Sequence, residues 1–282
     1  MIERQDYGDV VKLKMARDLP GPLRYYTSCY WVDGLLIDTG CAHCSREFQQ
    51  AIASLTVSRV VNTHCHEDHI GNNSTCQERG TPIQTHAAAL PYLADPRRLR
   101  LHPYRHVFWG MPRPSQAAPI GDTVATDRYT FRVLPTPGHS PDHICLYEAN
   151  QGWLFTGDAY VGGQDKALRQ GFDIYAIIAS LKLLASLPAA CLFPASGSVV
   201  HEPTAALARK VEYLEETGDK VRRLHAQGLS PAQIRQALFG REMMIAYVTM
   251  GDFSGLNLVN SYLDGLDPSP VPRPGARVSG RQ

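Results

Sequence analysis

The chain has no long unbroken hydrophobic run. Its longest apolar region, 174–193, is interrupted by Lys182 and Pro188. A membrane-spanning helix needs about 20 consecutive apolar residues, so none is expected. An excess of one charge is also missing: 28 Lys+Arg stand against 27 Asp+Glu, a net charge of +1. That balance speaks against a dedicated nucleic-acid binder, which carries a basic face. The opening residues 1–6 are polar, with no apolar core behind them, unlike a secretory leader. Seven cysteines at irregular spacing do not make the framework of a disulfide-rich secreted domain. The Cys41-x-x-Cys44 pair has no second pair to complete a zinc site and no thioredoxin-like surroundings, which favours small buried thiols. The expectation is a cytoplasmic protein without membrane contact, acting on a small molecule. A homo-oligomer stays open.

With 44% hydrophobic residues in 282, the chain can build a full core. Residues 25–32, an Asp33-Gly34 turn and 35–38 read as a hairpin. A helical period over 45–55 puts Phe48, Ile52 and Leu55 on one face. Strands follow at 59–62 and 82–85, with a short helix at 71–78 between them. Such alternation predicts a layered α/β domain. The segment 96–119, rich in proline, arginine and aromatics, reads as a loop excursion. It either walls a pocket or merely covers the surface. Beyond it, Leu207, Val211, Leu214, Val221 and Leu224 predict a long amphipathic helix. Ser230-Pro231 marks a second helix start, and 255–263 a last helix. The proline-rich stretch 266–282 reads as a disordered tail.

The chemistry is concentrated in Thr63-His64-Cys65-His66-Glu67-Asp68-His69. Core packing has no use for three imidazoles and two carboxylates in such proximity. A borderline divalent ion such as zinc prefers these ligands. His64 and His66, two apart in extended chain, project to one side. Asp68 and His69 follow a turn later and can face a second ion. Two further places repeat the pattern of strand, small-residue turn and ligand-type side chain. These are Pro137-Gly138-His139-Ser140 after 130–134, and Thr156-Gly157-Asp158 after 153–155.

The motifs THCHEDH, PGHS and TGD, with Leu36-Ile37-Asp38-Thr39-Gly40 upstream, resemble the metallo-β-lactamase superfamily of hydrolases. The helical C-terminal part resembles its glyoxalase II-like branch. The resemblance implies a four-layer αββα sandwich with a helical C-terminal extension and metals at one edge. It implies a catalytic core at 1–203 and a helical segment at 204–265 covering the cleft. His64, His66 and His139 would hold the first ion. Asp68 and His69 would help hold the second, Asp158 would bridge, and Asp38 would support the ligand loop from behind. The cofactor would be zinc, one or two ions, with iron or manganese as alternatives. Asp68 would orient the nucleophile and handle its proton.

One position departs from the pattern. Family members usually carry a further histidine after the next strand, where this chain has Pro194-Ala195-Ser196-Gly197. A neutral hydroxyl is a poor zinc ligand beside imidazole. Water could complete the second site, His201 could reach in, or one metal could suffice; otherwise His201 is an exposed loop histidine. The implied activity is hydrolysis of a thioester, lactone or small ester by a metal-bound hydroxide. The alternatives are a nuclease or phosphodiesterase, favoured only by a basic face on Arg97, Arg98, Arg100 and Arg105; a mononuclear iron enzyme of the persulfide dioxygenase kind; and a non-catalytic binding or regulatory protein.

Overall fold

The computed structural model describes residues 1–20 and 24–264. The expected tail at 266–282 lies outside them. Seven strands form the first sheet in sequence order: β1 (Ile2–Tyr7), β2 (Val10–Met15), β3 (Thr27–Val32), β4 (Leu35–Ile37), β5 (Arg59–Val61), β6 (Ile83–Thr85) and β7 (Ala118–Pro119). The second sheet contains β8 (Thr123–Ala125), β9 (Thr130–Pro135), β10 (Ile144–Glu148) and β11 (Trp153–Gly157). A two-residue strand β12 (Leu168–Arg169) leaves it, and β13 (Cys191–Pro194) completes it in the order β13-β11-β10-β9-β8. β12 pairs instead with β14 (Phe253–Ser254).

Alternation along the strands dictates the layers, because successive side chains point to opposite faces. Val10, Leu35 and Ile37 of the first sheet meet Phe131, Leu146 and Phe155 of the second in one buried cluster. Their neighbours Val11, Leu36 and Val60 face outward onto Phe48, Ile52 and Ile70 of the N-terminal helices. On the other side, Tyr147, Leu154 and Leu192 face Ile178, Leu181, Leu207 and Leu214. Helices thus cover both outer faces of two stacked sheets. This is the αββα sandwich, an α/β fold with a helical C-terminal part.

The hairpin at 27–37 and the strands at 59–61 and 83–85 form where the sequence places them. The helix expected over 45–55 ends at Ala51, and that over 71–78 begins at Asn73. The segment 96–119 needs correcting: it is not a plain loop. It contains a 3₁₀ turn, Pro96–Leu99, and a helix, Pro103–Phe108, both started by proline. The segment 204–264 divides between the outer layer and the edge of the sandwich. The long helix Pro203–Ala226 packs against the helix Ile174–Ala185 and shares its apolar core with β10, β11 and β13. It belongs to the outer layer, continuous with the sandwich. The stretch from β14 through the last helix, Gly255–Asp264, turns back toward the strand ends, where Asn257, Asn260 and Ser261 line a cavity beside Arg169. Among the described residues, no helix is long and apolar enough to cross a membrane.

Candidate metal centre

β4 and β5 run parallel, and β11 runs parallel to β13. β9 and β11 share a direction, since each is antiparallel to β10. The C-terminal ends of these strands gather at one edge, which is where Asp38, Thr63, His139 and Asp158 leave the sheets. Two glycines make the turns possible. A Cβ on Gly157, at φ +47°, would lie 2.8 Å from both His143 Nε2 and Thr63 Oγ1. One on Gly138 would strike the backbone of Ile177. Asp38 itself takes a left-handed backbone at φ 62°, a conformation unusual for a non-glycine residue and common at functional sites.

From there the Asp38 carboxylate organises the ligand loop. Oδ1 accepts from the Thr63 amide at 2.7 Å and Oδ2 from the Thr63 hydroxyl at 2.8 Å. Oδ2 also accepts from His69 Nδ1 at 2.7 Å. The Thr63 hydroxyl has thus given its proton away and is left to accept from His64 Nδ1, 3.1 Å off. Both imidazoles therefore carry their proton on Nδ1 and turn a bare Nε2 toward the edge. Asp142 anchors the same loop, its Oδ2 accepting from the Cys65 amide at 2.8 Å.

The bare nitrogens converge. His66 Nδ1 lies 2.9 Å from His64 Nε2 and 2.9 Å from His139 Nε2. His69 Nε2 lies 3.6 Å from Asp68 Oδ2 and 3.5 Å from Asp158 Oδ2. Two sets have ligand atoms all within 4.8 Å: His64 with His66 and His139, and His64 with His69 and Asp158. His69 Nε2 is fully buried and has no hydrogen-bond partner among the described residues. A buried polar atom costs free energy unless it is satisfied. Its position between two carboxylates, with imidazole and carboxylate as the whole donor set, fits a divalent metal ion.

Electrostatics agree with that fit. Burial holds His64 and His66 well below the ordinary imidazole range, and His139 at about 4. All three are neutral and ready to ligate. Burial likewise pushes Asp68 up. Burial opposes the charged form of His69, but Asp38, Asp68 and Asp158 overcome it and hold the ring well above its usual value. Burial also works against ionised Asp158, which His69 and its neighbours nevertheless keep below the carboxylate range.

Ser196 follows β13 at the same edge. Ala195 donates to Gly157 O, one residue before Asp158. Its loop is pinned by Lys12 Nζ on Gly197 O at 2.7 Å and Tyr30 Oη on Pro194 O at 2.5 Å. His201 is elsewhere. It is exposed, with Nδ1 3.8 Å from the Sγ of Cys191, at the start of β13 and the far end from Pro194. The prospect that His201 replaces the missing ligand is therefore corrected: a full strand separates it from the edge. Of the four arginines of the suggested basic face, Arg97, Arg98 and Arg100 are exposed, whereas Arg105 is buried and its Nε donates to Glu67 Oε1.

Three groups at the site were missed from sequence. His143 packs 4.9 Å from the His64 ring; its Nε2 accepts from the Asp158 amide and its Nδ1 meets the Thr136 hydroxyl. With both nitrogens engaged, it positions Asp158 rather than adding a ligand. Its signal was present, four residues after His139 in Ser140-Pro141-Asp142-His143. Arg105 was read only as part of a basic face, and Arg169 gave no local signal. Their partners Glu67 and Asp252 lie 38 and 83 residues away.

A sequence model described as the metallo-beta-lactamase superfamily matches residues 23–196. The chain is 28% identical over 196 residues to a beta-lactamase-like protein 2 homolog of Drosophila melanogaster, covering 64% of this chain and 58% of that one. It is 27% identical over 235 residues to an atrochrysone carboxyl ACP thioesterase of Aspergillus fumigatus, covering 74% and 49%. The chain thus spans about half the length of these relatives. Among solved structures, a beta-lactamase domain protein from Burkholderia ambifaria superposes with a TM-score of 0.71 at 20% identity, covering 93% of this chain and 88% of that one.

Proposed function

The chain belongs to the metallo-β-lactamase superfamily, and we propose that it is a metal-dependent hydrolase of thioesters, with lactones and other small esters as secondary substrates. The observation that carries this reading is the convergence of bare ligand atoms around the orphaned, buried Nε2 of His69. His64, His66 and His139 would hold one ion. His69, Asp68 and the bridging Asp158 would hold a second, more weakly, because Ser196 offers only a hydroxyl. Such a centre lowers the pKa of water and polarises a carbonyl. Zinc suits the donor set best.

The protein residues supply the rest. Asp38 fixes the tautomers of His69 and, through Thr63, of His64. Asp68, buried at 9% exposure beside His69, would orient the nucleophilic water and carry its proton. A cavity of about 390 Å³ lined by His66, His139, Arg169 and Phe172 opens onto the edge and would take the acyl group. Two relatives bearing the word thioesterase in their names, at 27% and 28% identity, support the thioester as first choice. A thioester carbonyl also needs little help to its leaving group, which suits a weakly held second ion.

A panel of thioesters, lactones, phosphodiesters, short RNAs and a persulfide, offered at fixed metal loading, tests the reading. Thioester cleavage that a chelator abolishes supports it. Faster cleavage of RNA or the phosphodiester, or oxygen uptake with the persulfide, would replace it.

A further inference from the structure

Arg169 sits at the mouth of the metal centre in a built position. It is the second residue of β12, paired with Phe253 of β14. Its Nε donates to Asp252 Oδ2 at 3.1 Å, and the same oxygen accepts from Tyr104 Oη at 2.6 Å. The Asp252 side chain is 3% exposed and that of Arg169 15%. Three separate stretches of chain thus fix the plane of the guanidinium. Held in this way, Nη1 points at His66, 3.3 Å from its Nε2.

His66 Nε2 accepts here only while it carries no proton. A guanidinium only donates. His66 turns Nδ1 toward His64 and His139, so with an ion at Nδ1 its proton lies on Nε2. Two N–H groups then face each other across the mouth of the cavity. An oxygen atom bearing negative charge satisfies both, and charge-assisted bonds of this kind are the strong ones. The cavity beside them is continued by a second of about 470 Å³, which shares the wall from Arg169 to Asp173.

We propose that Arg169, with His66 Nε2–H, binds a carboxylate on the acyl portion of the substrate and so selects acidic acyl thioesters over neutral ones. This rests on the hydrolase reading above. Adjacency to a first-ion ligand puts the carboxylate only a few bonds from the scissile carbonyl. That fits a dicarboxylic acyl group of malonyl to glutaryl size. The phosphate of a pantetheine-type thiol arm lies many bonds from the carbonyl and does not fit.

The test uses zinc-loaded full-length protein and two thioesters of N-acetylcysteamine matched in length, succinyl and pentanoyl. The unmodified protein should favour succinyl in kcat/KM. Arg169→Gln should lower the succinyl-to-pentanoyl ratio by roughly tenfold to a hundredfold, the scale of one or two charge-assisted hydrogen bonds. The loss should fall mainly in KM, and Arg169→Lys should recover part of it. Succinate binding measured by calorimetry, relative to butyrate, should weaken in Arg169→Gln at equal zinc content. A preference for pentanoyl, or a ratio and succinate affinity indifferent to Arg169, would overturn the proposal. If metal-loaded protein cleaves neither thioester, the hydrolase reading fails, and the succinate titration still decides the role of the arginine. If Arg169→Gln misfolds, the charge-free Arg169→Met decides: a succinyl-to-pentanoyl ratio equal to the unmodified protein's contradicts the proposal, and so does equal affinity of the unmodified protein for succinate and butyrate.

Discussion

Single residues at the edge have separable jobs. His64→Ala and His139→Ala each remove one of three converging nitrogens and should lose the tighter ion together with activity; elemental analysis after dialysis reads this. Full metal retention in both would contradict the assignment. Asp68→Asn should cut turnover far more than it weakens that ion, because Asp68 lies on the His69 side, 3.6 Å from Nε2. Ser196→His should tighten the second ion and leave the first unchanged in a zinc titration. Two equally tight sites in the unmodified protein would sink the idea that Ser196 marks a missing ligand. The candidate ligands were legible in the sequence because their signal is local: His64, His139 and Asp158 follow strands on short turns, and Asp68 and His69 stand on the one-turn helix Glu67–Ile70 within the same motif. His143 was overlooked for a different reason. A histidine with both nitrogens satisfied by Thr136 and the Asp158 amide differs from a ligand only in its partners, which sequence does not display.

Among elements, the helix Pro103–Phe108 matters most to the site. It delivers Arg105 to Glu67, and Tyr104 to Asp252. Glu67 stands between the proposed ligands His66 and Asp68, so this ion pair ties the covering segment to the histidine-rich loop. Removing one member of a buried pair typically costs about 3–5 kcal/mol, because the other charge is left unpaired. Arg105→Ala should therefore shift the urea midpoint by an amount of that order. Arg105→Met with Glu67→Gln should recover a large part of it. Additive losses in the double variant would show that the two do not act as a pair. The sequence showed the proline, arginine and aromatic content of 96–119 but not its short helices, whose single turns carry no readable period. The two-residue pairing of β12 with β14 is likewise invisible, since it joins segments 85 residues apart. The long helix Pro203–Ala226 was easier, because its apolar stripe repeats over 24 residues.

For the whole molecule, the buried imidazoles set the acid stability of the metal-free protein. His64, His66 and His139 are neutral when folded, with His139 at about 4, whereas imidazoles in an unfolded chain titrate near about 6.5. As pH falls from about 6.5 toward 4 the unfolded state takes up more protons, so stability is lost across that window. His69 has the opposite sign. Its carboxylate neighbours outweigh burial and raise its folded value, so its contribution is complete below about 6.5 and lost as pH climbs through the raised value. Urea midpoints of chelator-treated protein should therefore fall on the acid side of the imidazole range, and a flat profile down to pH 4 would contradict the neutral state of the three rings. The layered architecture was readable as a whole because alternation and helical period agree along the chain. Where the C-terminal helices pack was not, since an amphipathic stripe tells that a face is buried but not against what. A metal held at one edge of this sandwich is proposed to make the protein a thioesterase. The most direct test of that proposal is the rate of thioester hydrolysis as zinc is returned stepwise to chelator-stripped protein. The rate should be near zero without metal and rise steeply over the first equivalents. Full activity in the stripped protein, or none after stoichiometric zinc is bound, would contradict it.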